Sequence, residues 1–114
     1  MERQEVYYDQ EEKKASAKDT KGKLIYTHVS PYIVEAVARV REYGNKKYKD
    51  PNNWRLVEKF HYTNALIRHL IAYWKGERLD ESGLPHTWHM ACDLSFMIDM
   101  EWEEDWQLMQ EAGK

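Results

Sequence analysis

The chain has 114 residues and a mass of 13.8 kDa, the size of one domain. Its composition, 42% apolar and 13% aromatic, is enough for one modest core. A mean hydropathy of −0.89 with no apolar run approaching about 18 residues predicts no membrane span. The opening MERQEVYYDQEEKK lacks the apolar core of a secretory leader, and the single cysteine, Cys92, cannot close an internal disulfide. Both features suit the cytoplasm.

The net charge of −3 conceals an uneven distribution. Residues 1–23 carry six acids and six bases, residues 24–75 carry four acids and nine bases, and residues 76–114 carry ten acids and two bases. A basic middle suits phosphate, whereas the acidic tail repels a nucleic-acid backbone and argues against duplex DNA as a partner. Residues 1–22 alternate charged and small polar side chains and are expected to form a flexible arm. Residues 23–114 are expected to form a single helical domain. Lys23–Val29 reads as an extended lead-in. Ser30-Pro31 then starts a first helix, with Ser30 as N-cap and Pro31 in the first turn, and Gly44 is its expected stop.

Asn45–Asn53 is a basic connection rich in turn formers. Helical spacing resumes at Trp54, with a break expected near Lys59–Tyr62. Tyr62, Leu66, Ile67, Leu70, Ile71, Tyr73 and Trp74 then give a second helix a wide apolar face, and Gly76 ends it. Glu77–Pro85 is a polar loop with Asp80, Ser82 and Gly83 as turn formers. A third helix starts near Pro85 and runs to about Gln110. The whole reads as an all-α bundle of three to four helices.

Four of the five histidines fall on or beside the second and third helices. His86, His89 and Asp93 are spaced i, i+3, i+7 and share a face; Glu58, His61 and His69 share a face on the second helix. Where those faces meet, His69, His89 and Asp93 form a polar cluster with the donors of a divalent-cation site. His61 and His86 are expected to be the more exposed pair. Cys92, beside Trp88 and Ala91, reads as packing. The five tryptophans read mostly as core, though Trp54 and Trp74, near helix ends, could instead stack on a base. Lys46, Lys47 and Lys49 concentrate positive charge in one turn and are candidates to hold phosphate, helped by Arg68 or Lys23.

The segments REYGNKKYKDPNNW (41–54), Arg68-His69 and DESGLPHTWH (80–89) resemble a phage and prophage family of dATP/dGTP diphosphohydrolases, over about residues 21–101. That family is similar in architecture to the MazG-type all-α nucleotide pyrophosphohydrolases. The resemblance implies a MazG-like helical bundle, a homodimer, and hydrolysis of a purine deoxynucleoside triphosphate to monophosphate and pyrophosphate with Mg²⁺. It also implies a location in the host cytoplasm. Relatives of the MazG type hold the metal on an E-E-x-x-E pattern and a later E-x-x-D. Here Glu35 is followed by Arg39, and the residue three beyond Glu104 is Gln107, so no such cage is spelled out. The expected metal and catalytic residues are therefore Glu35, His69, His89 and Asp93, with Lys23, Lys46, Lys47 and Arg68 on phosphate. The alternative is a non-catalytic binder that sequesters a nucleotide or inhibits a host protein. Met97, Met100, Trp102, Trp106 and Met109 are the expected dimer contact.

Overall fold

The computed structural model describes residues 22–113; the arm expected over residues 1–22 lies, but for Gly22, outside them. The chain divides into two compact units, Met1–Tyr32 and Ile33–Lys114. The described part of the first contains a short 3-10 helix, Tyr26–His28, where an extended lead-in was expected. Three α-helices follow: α1 (Pro31–Tyr48), α2 (Lys59–Trp74) and α3 (His86–Ala112). A second 3-10 helix, Asn53–Leu56, precedes α2. Among the described residues the sole β pairing is an isolated bridge between Leu79 and Pro85, and no helix is long and apolar enough to cross a membrane. The fold is a small all-α bundle.

Local chemistry explains the boundaries. Ser30 Oγ accepts the Tyr32 N–H at 3.3 Å, the capping bond expected ahead of Pro31. α1 runs through Gly44, because one glycine in a helix interior costs only about 1 kcal/mol. It ends instead at Lys49, which takes the left-handed conformation (φ 65°) and bonds back to the Asn45 carbonyl at 2.8 Å. The break expected near Lys59–Tyr62 falls slightly earlier, between the 3-10 helix and α2. α2 closes with paired return bonds, Gly76 N–H to the Tyr73 carbonyl (2.9 Å) and Glu77 N–H to the Ala72 carbonyl (3.0 Å). Gly76 supplies the positive φ of 103° that this closure needs.

α2 packs against α3, and the second 3-10 helix docks on α3 as well. Trp54 stacks on Phe96 with ring centroids 4.7 Å apart, and the Tyr62 hydroxyl donates to the Trp54 carbonyl at 2.6 Å. Lys59–Glu101 (3.3 Å) and Arg55–Asp99 (3.8 Å) are half-exposed pairs along the same seam; such pairs contribute less than about 1 kcal/mol each. Among the described residues the buried apolar set is small: Ala36, Val40 and Cys92. α3 has 27 residues against 16 in α2, and toward its far end Trp102, Trp106, Leu108 and Met109 are all more than half exposed.

Candidate functional site: a histidine–aspartate cluster beside an aromatic cavity

The connection between α2 and α3 folds back on itself and brings its polar residues to the helix faces. The Leu79–Pro85 bridge closes its neck, and Gly83, at φ 84°, donates its N–H to the Asp80 carbonyl at 2.9 Å. Inside the turn Asp80 Oδ1 accepts the Ser82 N–H at 2.8 Å and also the Ser82 hydroxyl. The first turn of α3 is tied to the same loop, since the His86 N–H donates to the Arg78 carbonyl at 2.9 Å.

Three ligating side chains converge there. One ligand atom each from His69 on α2, Asp80 in the loop and His89 on α3 lie within 4.8 Å of one another. The rings of His69 and His89 stack with centroids 4.7 Å apart and planes 6° from parallel. His89 Nε2 sits 3.2 Å from Asp80 Oδ1 and 2.9 Å from Ser82 Oγ. Two ligands at about 2.1 Å on one cation stand roughly 3.0–3.4 Å apart, so the His89–Asp80 pair already has that spacing.

A relay behind His69 fixes which nitrogen it offers. Glu77 Oε2 lies 3.0 Å from His86 Nε2, and His86 Nδ1 lies 2.8 Å from His69 Nδ1. With Glu77 accepting from Nε2–H, neutral His86 carries its lone pair on Nδ1 and accepts the His69 Nδ1–H. His69 is then left with a lone pair on Nε2, the tautomer a cation needs. Burial first, and then the neighbouring His89 and His86, hold the His69 pKa below its ordinary value and favour this neutral form. Burial opposes the ionisation of Asp80, but the two Ser82 bonds and the His89 and His69 charges outweigh it and hold that carboxyl below its usual range. The cluster thus pairs an ionised carboxylate with an imidazole kept uncharged.

A second feature adjoins it. Val40, Arg41, Asn45, Trp54, Tyr62 and Asp93 are among the residues around a cavity of about 300 Å³. The Arg41 guanidinium lies 5.3 Å from the Phe96 ring centre and 5.9 Å from that of Trp54, and it donates to the Pro51 carbonyl. Asp93 Oδ2 is shut from water and has no hydrogen-bond partner. Burial pushes its carboxyl up to about 7, against the opposing pull of Arg68. Burial likewise pushes the Tyr62 hydroxyl and the Cys92 thiol up to about 12, so both stay protonated. Cys92, 2% exposed, is packing, as its neighbours suggest. Cluster and cavity share their helices: His89 and Asp93 are one turn apart on α3, and His69 and Tyr62 are two turns apart on α2, roughly 10 Å along the axis.

Comparison with known proteins bears on this pairing of features. The family described as dATP/dGTP diphosphohydrolase, N-terminal, matches residues 12–110. The chain belongs to that family. It is similar to the dATP/dGTP diphosphohydrolase of Salmonella phage PMBT28, with 33% identity over 78 residues, which is 68% of this chain and 27% of the phage protein. The chain thus spans about a quarter of that relative's length. No solved structure matches it.

Within this family member the residues expected to act together divide into three groups. His69 and His89 meet as their spacing implies. Asp93 stands one turn beyond them in the cavity wall, and Asp80 completes the cluster in its place. Glu35 is on the exposed side of α1, paired with Arg39 at 3.3 Å. Lys46 and Lys47 are exposed in the last turn of α1, between the cavity residues Asn45 and Tyr48. Arg68, also exposed, lines a shallow hollow with Lys75 and Glu77. Lys23 is exposed in the N-terminal unit. His61 is exposed as expected, but His86 is the most buried histidine, 5% exposed, because the folded loop covers it. Spacing along a helix carries no signal for Asp80, Ser82 and Glu77, which reach the cluster through loop geometry.

Proposed function

We propose that this chain holds a purine deoxynucleoside triphosphate beside a divalent cation and takes part in its hydrolysis to monophosphate and pyrophosphate. The observation that carries the reading is the convergence of His69, Asp80 and His89 one helical turn from a cavity of nucleobase size. The family description and the name of the phage relative support the substrate class. Lys46 and Lys47 beside the cavity, and Arg68 on α2, are the cations this reading puts on phosphate.

Mg²⁺, the metal the resemblance implies, prefers an octahedron of oxygen ligands. Two imidazoles and one carboxylate do not fit it and suit Mn²⁺, Co²⁺, Ni²⁺ or Zn²⁺ instead. Bound there, such a cation supplies charge for a phosphoryl oxygen and lowers the pKa of a coordinated water. The chain's own residues set the donors: Ser82 fixes Asp80, and the Glu77–His86 relay fixes the His69 tautomer.

The alternative, a non-catalytic nucleotide binder, is favoured by one observation: Asp80 is the single carboxylate among the three clustered donors. Pyrophosphate release from a deoxynucleotide panel, with Mn²⁺, Co²⁺ or Zn²⁺ and beside a thermal-shift screen, separates the two. Release from dATP and dGTP, lost on chelation, is the expected result. A thermal shift without release overturns the hydrolase reading and leaves the binder.

We propose also that two chains pair through the far half of α3. Trp102 and Trp106, one turn apart with rings 6.4 Å between centroids, form an exposed aromatic ridge, and ridges of that kind are commonly covered by association. Light scattering at tens of micromolar is expected to give a dimer, and Trp102→Glu with Trp106→Glu a monomer. A monomeric mass for the unaltered chain in both low and high salt contradicts the pairing.

A further inference from the structure

Gly44 is a costly residue that the fold itself does not use. A glycine inside a helix is the least favourable choice after proline. It is kept where a positive φ, a close neighbour or a bound ligand demands bare backbone. The first two reasons are absent here. The described glycines with positive φ are Gly22, Gly76 and Gly83, and α1 runs through Gly44 to Tyr48. Among the described residues, a Cβ at position 44 would meet no atom within 4 Å beyond its adjoining helix backbone. Yet Gly44 is half-buried and lines the cavity of about 300 Å³. The space a side chain would take opens on that cavity, which leaves the third reason.

The rest of the wall suits a flat ring. Arg41, Gly44, Asn45 and Tyr48 follow one face of α1 at spacings of three and four residues. Trp54, Tyr62 and Phe96 add aromatic surface from the second 3-10 helix, α2 and α3. Asn45 and Asn53 each bring a donor and an acceptor for the edge of a base. Ligand pockets are commonly apolar hollows with a few polar groups, of about 300–1,000 Å³. This one stands at the small end, the size for a base rather than a whole triphosphate. The segment 41–54, which carries much of the family resemblance, folds around this cavity and not around the histidine cluster.

We propose that the cavity takes the purine base of the nucleotide and that Gly44 lets the ring lie directly against the backbone of α1. Tyr48, one turn along the same face, flanks the ring, as aromatic side chains do in base-binding sites. Any side chain at position 44 would enter the space of the ring. This placement depends on the chain holding a purine nucleotide, but on neither hydrolysis nor a cation at the histidine cluster.

The substitutions that fill the space also improve the helix, so stability and binding separate. Alanine and leucine are stronger helix formers than glycine, and Gly44→Ala and Gly44→Leu are each expected to raise the Tm by a few degrees. Calorimetric titration of the full chain with dAMP and dGMP, in chelator, is expected to show about tenfold weaker binding in Gly44→Ala and none in Gly44→Leu. Deoxyribose 5-phosphate, which lacks the base, is expected to bind all three proteins alike. A higher Tm with weaker monophosphate binding is a combination that damage to the fold does not give. Wild-type affinity for dAMP and dGMP in both variants overturns the placement and leaves the nucleotide reading standing; Gly44→Ala decides alone where the leucine variant does not fold. A parallel loss of deoxyribose 5-phosphate puts the sugar rather than the base against Gly44 and also overturns it. Binding of neither monophosphate by the unaltered chain overturns it even where pyrophosphate is released. The expected losses without pyrophosphate release by the unaltered chain overturn the hydrolase reading alone.

Discussion

Replacing His69 by alanine is expected to weaken transition-metal binding by at least about a hundredfold, and metal-dependent hydrolysis with it. Three side chains make up the proposed donor set, so removing one leaves two, with no further described His, Cys, Asp or Glu in the group. His89→Ala and Asp80→Ala are expected to behave alike. Glu77→Gln is the subtler variant. It keeps the shape of the relay but weakens the acceptor that holds the His86 Nε2 proton, so His69 loses its preference for a lone pair on Nε2. Outer partners of this kind typically change affinity by about 10–100-fold. Titration of each variant with Mn²⁺ or Zn²⁺, followed by thermal shift, checks the order: Glu77→Gln weakened, His69→Ala near abolished. Equal affinity in all of them contradicts the cluster. Affinity is also expected to fall toward acid pH, because an imidazole must be unprotonated to ligate.

The second large effect is the pH dependence of stability contributed by Asp93. In the unfolded chain its carboxyl ionises near 3.8, whereas in the folded chain burial raises it to about 7. Between those values the folded state binds the proton and the unfolded state does not. The resulting stability is complete below about pH 4 and is lost as pH rises through 7. His69 acts in the opposite sense: its lowered pKa makes the unfolded chain protonate first, so stability falls as pH drops below about 6.5. Comparing the wild type with Asp93→Asn cancels the His69 contribution. The wild type is expected to lose several degrees of Tm relative to the variant between pH 5 and pH 8. Parallel curves for the two proteins contradict the buried, titrating carboxyl.

How legible these features were depends on how locally they are encoded. The three helices follow from apolar spacing and from punctuation at Ser30-Pro31, Gly76 and Pro85. Gly44 misled because a single glycine penalises a helix without ending it, while the actual stop, Lys49, has a side chain with no preference for positive φ. The meeting of His69 with His89 was readable because each lies on the face its helix turns toward the other. Asp80 was readable as a turn former but not as a ligand, since only the folded-back loop carries it to α2 and α3. Asp93 sits at the expected spacing from His89, yet one helical turn carries it past the cluster and into the cavity. The burial of His86 depends on the same loop, which no helix periodicity describes.

In the proposed site His69, Asp80 and His89 hold a divalent cation with mixed nitrogen and oxygen donors. The two stacked rings are nearly parallel, and parallel planes share no common point, so a cation on both nitrogens requires one imidazole to tilt out of the stack. The decisive measurement is titration of the chelator-treated chain with Co²⁺, read by visible absorption. Saturation at one equivalent per chain is expected, with visible bands of a low-coordinate nitrogen–oxygen site that His69→Ala abolishes and Zn²⁺ displaces. No absorption beyond that of aqueous Co²⁺, or the same bands in His69→Ala, would contradict the site.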